Sequence, residues 1–319
     1  MRKGLFIGIN QYQNIGSLSG CVNDAMQMSS VLSKHADGRP NFHSENMISG
    51  EADLTHRSIE AAIKELFSGE CDVALLYFAG HGHFDQNVNE GLLLCEDYRH
   101  GDTQLRVSDV LEFARQTTRI KNKIIILDCC ESGGSGSSRN LKEGESILGE
   151  GVTILTACRK EGVANEIGGH GVFTSLLLQA LHGGAANVLG NVTPGSVYSF
   201  VDGALGPWQQ RPVFKTNVSS FTALREAMPL VAHETLRELP DWFESDDTIF
   251  ALTPEFEPTE DSYDPAKGGI FKKLQACNRH SLVEPVDAEH MYYAAINSTG
   301  CRLTALGVYY WNLAKKGMI

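Results

Sequence analysis

Lys123-Ile124-Ile125-Ile126-Leu127-Asp128-Cys129-Cys130-Glu131-Ser132-Gly133 is an apolar run that ends in a thiol and passes into a Gly/Ser loop. A short apolar run bounded by turn residues reads as a fully buried strand. A nucleophile at the end of such a strand is how an α/β sheet presents chemistry at its carboxyl edge. Upstream, Val73-Ala74-Leu75-Leu76-Tyr77-Phe78-Ala79 is a second apolar run, and it ends in Gly80-His81-Gly82-His83. If the two strands are neighbours, a thiol and an imidazole reach the same rim.

Outward from this pair, residues 4–9 read as a first buried strand, followed by a polar loop at 10–20. Helical spacing runs through Val22, Ala25, Met26 and Val31, again through Ile59, Ala62, Ile63 and Leu66, and again through Leu176, Leu177, Ala180 and Leu181. Residues 108–115 read as a helix with Ser108 as its cap. Leu92-Leu93-Leu94 reads as a short hairpin arm, and residues 152–157 as another strand. Strands alternating with helices predict an α/β fold, a mostly parallel sheet flanked by helices on both sides.

The chain has 319 residues, 42% of them hydrophobic and 21% charged, which suits one large and one small globular domain. A net charge of −12 argues against general nucleic-acid binding. Eight cysteines with no Cys-x-x-Cys pair fit neither a disulfide scaffold nor a zinc ribbon. The apolar stretch at the start is too short for a signal peptide, and no run approaches the roughly 20 residues of a membrane span. The expectation is a cytoplasmic, reducing location that keeps a reactive thiol reduced.

Composition divides the chain into a catalytic domain at 1–225, an acidic connector at 226–265 and a small module at 266–319. Residues 238–264 hold ten acidic residues and no Lys or Arg, and read as extended. From 266 onward the balance reverses, to seven Lys/Arg against three Asp/Glu. Residues 306–316 read as an amphipathic helix with Leu306, Tyr309, Tyr310 and Leu313 inward.

Cysteine attacks as a thiolate, and a free thiol near its usual pKa of about 8.5 needs a base or a positive field. His81 supplies one for Cys130. The amides of Gly82 and Cys130 are candidates for an oxyanion hole. Cys129 alternates to the other side of its strand and reads as core. Cys71, Cys95, Cys158, Cys277 and Cys301 read as structural, as do His35, His43, His56, His100 and His182. A rival reading takes His81-Gly82-His83-Phe84-Asp85 as a His-x-His-x-Asp metal string of the metallo-β-lactamase-like kind. Gln86 stands where that string needs a further His.

Gly80-His81-Gly82 after one strand and Asp128-x-Cys130-x-Ser132-Gly133 after the next resemble the caspase-like (clan CD, C14) cysteine peptidases, nearest to the metacaspases and prokaryotic orthocaspases. The likeness covers residues 1–215. Residues 4–12 are similar to that family's first strand, and Gly20-Cys21-Val22-Asn23-Asp24-Ala25 to the start of its first helix. The resemblance implies a His81/Cys130 dyad and a specificity pocket formed by Asp128, Asp24 and Cys21. Two carboxylates there select a basic side chain, so the expected substrate is a protein or peptide cleaved after Arg or Lys. Ala79 and Glu131 depart from the family, which often has Ser and His at those places. Some relatives need calcium, so calcium is the cofactor to test; no ligands for it are assigned, and no other metal. Arg139 and Lys142 lie in a Gly/Ser-rich loop where such enzymes often carry a cleavable linker, and are candidate autoprocessing sites. Family context implies regulated proteolysis in stress or antiviral cell death.

The C-terminal module is similar to a winged helix at Leu303-Thr304-Ala305-Leu306-Gly307. That implies an activating protein partner or, as a lesser alternative, DNA contacts by Lys272, Lys273, Arg279 and Arg302. The competing functional reading is a catalytically silent regulator acting through this module.

Overall fold

The computed structural model describes residues 1–85, 90–100, 104–132, 148–157, 166–167, 170–205 and 212–319, with backbone alone at 130–132, 166–167 and 170. The chain divides into two compact units, the first formed by Met1–Ala186 and Asn191–Met228, the second by Asn187–Gly190 and Pro229–Ile319.

The first unit opens with β1 (Arg2–Gly8), α1 (Cys21–Ser33), β2 (His43–Ile48), α2 (His56–Leu66) and β3 (Cys71–Asp85). β4 (Glu90–Leu93), β5 (Leu105–Arg106), α3 (Val107–Gln116), β6 (Ile120–Ser132) and β7 (Val152–Thr156) follow. It closes with β8 (Glu166–Ile167), β9 (His170–Gly171), α4 (Val172–Gln179), a π turn (Ala180–Gly184), β10 (Asn191–Val192), α5 (Pro194–Leu205), β11 (Val213–Asn217) and β12 (Arg225–Glu226). The main sheet runs β11-β7-β6-β3-β1-β2. The five strands β2, β1, β3, β6 and β7 are parallel to their neighbours, and β11 is antiparallel at the edge. This is the mostly parallel α/β sheet expected from the alternation of strands and helices.

Period two divides the strands between two cores. Leu5, Ile7, Leu76, Phe78, Ile125 and Leu127 face α2 and α3, packing on Ile59, Ile63, Val110 and Ala114. Phe6, Leu75, Tyr77, Ile124 and Ile126 face the other way, toward Ala25, Met28 and Leu32 of α1, Phe173 and Leu177 of α4, and Val197 and Val201 of α5. α2 is capped by Thr55, whose hydroxyl accepts from the Ser58 amide. α3 begins one residue before the predicted cap: Ser108 lies inside the first turn, and its amide donates to Glu90 Oε1 at 3.3 Å.

Strand order places a topological switch between β1 and β3. From β1 the chain moves one way to β2, then crosses back to build β3, β6 and β7 on the other side. Such a crevice at the carboxyl ends of the strands is where open α/β sheets bind ligands.

The second unit holds α6 (His233–Arg237), α7 (Leu239–Trp242), β13 (Ile249–Phe250), a 3₁₀ turn (Pro254–Phe256), α8 (Pro265–Arg279), β14 (Val283–Val286), α9 (Met291–Ile296), β15 (Gly300–Leu303) and α10 (Ala305–Lys315). Its antiparallel sheet runs β13-β15-β14. The segment expected to be an extended acidic connector is folded into this unit. Leu236, Leu239, Phe243, Leu252 and Phe256 are buried in one core with Phe271, Leu274 and Leu282. The acidic residues of the segment hide an apolar set large enough to pack. The inward face of α10 differs from expectation in part: Tyr310 is buried as expected and Leu313 packs against the core, but Trp311 is buried too, while Leu306 and Tyr309 are exposed. Trp311 sets that phase, because its indole N–H donates to the buried carbonyl of Phe243 at 2.7 Å.

Candidate active site

β3 and β6 stay in register to their carboxyl ends, and the residue opposite His81 is Cys130. One strand spacing, about 4.8 Å, therefore separates the two backbones. Gly82 pairs with Glu131 on β6 and with Leu93 on β4. The His81 carbonyl accepts from the Leu94 amide on the β4 side, so strand alternation turns the Gly82 amide toward β6.

The loop that leaves β1 holds the histidine. Tyr12 Oη accepts from the His81 amide at 2.7 Å, and the two rings lie 4.8 Å apart between centroids. Gly80 makes room for this: a Cβ there would lie 2.7 Å from the Tyr12 hydroxyl. Burial pushes the Tyr12 phenol well above its ordinary pKa, so it stays neutral. His81 Nε2 lies 2.8 Å from the Gly16 carbonyl. A carbonyl can only accept, so Nε2 carries the proton and a neutral imidazole keeps its lone pair on Nδ1. Neither Tyr12 nor Gly16 was assigned a role from sequence. Their signal, a polar loop directly after the first strand, gives no hint that the loop folds back onto a residue so far along the chain.

The carboxylates predicted for the specificity pocket are both buried, Asp24 2% exposed and Asp128 5%. Asp24, in the first turn of α1, accepts from the Gly171 amide at 3.2 Å. Asp128 Oδ2 accepts from the Thr174 hydroxyl at 2.7 Å. With its proton committed there, Thr174 accepts from Tyr77, whose hydroxyl lies 2.6 Å away. Burial, then the fields of Asp128 and Asp24, hold the Tyr77 phenol far above its ordinary pKa. Both carboxylates are thus felt at one buried hydroxyl, on the α1/α4 face of the sheet. Cys21, the first residue of α1, is half-buried. Ala79, where the family often has Ser, is buried directly opposite Asp128 and brings no hydroxyl; Thr174 of α4 supplies one to Asp128 instead.

Cys129 is partly buried against the α2/α3 core. Burial raises the thiols of Cys95, Cys277 and Cys301 to about 12. Among the described residues no three His, Cys, Asp or Glu side chains converge in a way that could hold a metal ion, so the His-x-His-x-Asp reading has no further ligands there. No helix among them is long and apolar enough to cross a membrane. Arg139, Lys142 and Cys158 lie outside the described residues.

The chain is 25% identical over 200 residues to metacaspase-2 of Trypanosoma brucei brucei, an alignment covering 52% of this chain and 56% of that protein. It is 25% identical over 212 residues to metacaspase-3 of Trypanosoma cruzi, covering 54% and 56%. The chain thus spans about half the length of the curated relatives it matches. Two solved structures share the fold. Protein GSU0716 from Geobacter sulfurreducens aligns with a TM-score of 0.53 and 16% identity, over 72% of this chain and 98% of its own. Caspase-1 from Spodoptera frugiperda aligns with a TM-score of 0.51 and 14% identity, over 71% and 90%. The family model for the caspase domain, Peptidase C14, matches residues 1–221, and with more than half of its length so matched the chain belongs to that family of cysteine peptidases.

Proposed function

We propose that the chain is a cysteine endopeptidase that cleaves after Arg or Lys, with Cys130 as nucleophile and His81 as its base. The observation that carries this reading is the register of β3 and β6, in which His81 and Cys130 are direct partners. His81 Nδ1 takes the Cys130 proton, and the thiolate attacks the scissile carbonyl. The imidazolium returns that proton to the leaving amine, giving a thioester. Water then attacks the thioester with His81 as base, releasing the acid and restoring the thiol. The Gly16 carbonyl fixes the tautomer and stabilises the ring when it is charged. The developing oxyanion is assigned to the amides of Gly82 and Cys130, which the register holds in the β3–β6 ladder and which must turn out of it to donate.

The basic preference rests on Asp24 and Asp128. Two buried carboxylates near one another favour a cationic partner, and a guanidinium meets them with a planar fork of donors. Cys21 lines the same rim at the start of α1. Autoprocessing at Arg139 or Lys142 follows from the same preference. The physiological setting, whether regulated proteolysis or defence, is the family's and goes with this proposal.

The test is hydrolysis of matched fluorogenic peptides with Arg, Lys or Asp before the scissile bond, by wild type and Cys130→Ala, with and without calcium. Expected is cleavage after Arg and Lys that Cys130→Ala abolishes and Asp128→Asn sharply weakens. Cleavage after Asp would overturn the pocket; equal rates in Cys130→Ala would overturn the dyad. Intact mass after incubation, unchanged in wild type and Cys130→Ala alike, would reject autoprocessing.

A further inference from the structure

The second unit carries a groove that nothing above assigns. It has a volume of about 680 Å³ and lies along one stripe of α8, closed by the stretch before that helix and by the start of α9. Its cations are Lys272 and Arg279, with His290 beside them, and no Asp or Glu is among the residues that line it. Glu289, outside the lining, lies 4.0 Å from His290.

The neighbouring cations are occupied elsewhere. Lys273 is bound to Glu238 at 2.6 Å, Arg302 to Glu284 at 2.8 Å, and Lys267 to Glu255. Among the described residues Lys272 and Arg279 have no ion-pair partner. The four basic residues that sequence offered as one phosphate-contacting set are therefore split: two are neutralised by internal carboxylates, and two open onto the groove.

Aromatic rings complete the surface. Phe271 is buried beneath it, while Tyr263 and Tyr292 are 36% and 40% exposed along it. Gly268 lets Tyr263 lie against α8, because any side chain there would collide with the phenol ring. Lys272 and Arg279 are seven residues apart, so their backbones are separated by about 10 Å along the helix. That spacing does not focus on a single phosphate. It suits an extended chain bearing several negative charges, about three residues of strand between the cations. The whole chain carries a charge of −12, a field that opposes a polyanion the length of a nucleic acid.

We propose that this groove binds an acidic, aromatic-containing peptide segment of a partner protein, its carboxylates on Lys272 and Arg279 and its apolar side chains on Tyr263 and Tyr292. The proposal does not depend on the peptidase assignment, because binding is read without turnover.

The experiment is fluorescence polarisation of the full-length chain with three labelled probes: an eight-residue peptide alternating Asp and Phe, its Asn/Phe counterpart, and the single strand dT8. None contains Arg or Lys, so none is a substrate for the proposed activity. Expected is binding of the Asp/Phe peptide, weaker for Asn/Phe, and weakened about tenfold or more in Lys272→Ala/Arg279→Ala. Lys316→Ala, which removes a cation that does not line the groove, leaves it unchanged. Both substituted residues are exposed and unpaired, and matching thermal melts verify the fold. No binding of the Asp/Phe peptide at millimolar protein, equal binding by the double variant, or equal binding of Asn/Phe overturns the proposal. Tighter binding of dT8 overturns it in favour of a nucleic-acid site.

Discussion

Tyr12 holds His81 twice, through the backbone amide and through the face of the ring. In Tyr12→Phe the part-buried amide loses its acceptor, a cost of about 1–3 kcal/mol. The ring contact and the Gly16 carbonyl remain, but the backbone that carries the imidazole loses its anchor. The expected result is a kcat for Arg substrates lower by about ten- to a hundredfold, with KM within about twofold, since in the proposed mechanism the side chain acts only by positioning His81. Steady-state kinetics beside a thermal melt checks it; an unchanged kcat with a lowered melting temperature would make Tyr12 a packing residue only. His81 and Cys130 were legible as residues of one sheet edge because each follows an apolar run. Tyr12 was not, because its partner lies 69 residues away and its spacing matches no periodic pattern.

At the level of elements, α4 brings its first turn to the end of β6. Thr174, fully buried, relays a hydrogen bond from Tyr77 on β3 to Asp128 on β6. Thr174→Val keeps the shape and removes the relay, leaving a phenol and a carboxylate each short of a partner. Stability should fall by about 1–3 kcal/mol in urea titration. KM for Arg substrates should change as well, because the orientation of Asp128 depends on the same bond. A stability loss with no kinetic effect would separate Asp128 from the specificity pocket. β1, β7 and the helices α1 and α2 were readable within two residues, since their apolar spacing is strong, whereas β3 and β6 run on several residues past the ends their apolar runs suggest, and the edge strands β2 and β11, polar along much of their length, were not read. The face of α10 was read only in part, because Leu306 and Tyr309 fit a helical stripe with Tyr310 as well as Trp311 does, and a hydrogen bond from Trp311 to Phe243 decides between them.

Across the molecule, burial sets the behaviour of the thiols in both units. Cys95 in the first unit and Cys277 and Cys301 in the second are raised from an ordinary 9.0 to about 12. The unfolded chain then loses these protons at lower pH than the folded one. The stabilisation is full below pH 9 and is lost as pH rises toward 12. Urea midpoints should therefore drop between pH 8 and pH 10.5, and Cys95→Ala should flatten that drop; a midpoint unaffected by this substitution would contradict it. The sequence by itself determined the alternation of strands and helices, the strand ends that carry His81 and Cys130, and the acidic positions Asp24 and Asp128, because hydrophobic period and residue type are local properties. Only the tertiary structure decided that His81 faces Cys130 in register, that the loop after β1 orients the imidazole, that Thr174 serves Asp128, and that the acidic segment folds into the second unit's core. Each of these is a pairing between residues far apart in the chain, and a periodic pattern records which face of an element is buried without recording what it is buried against.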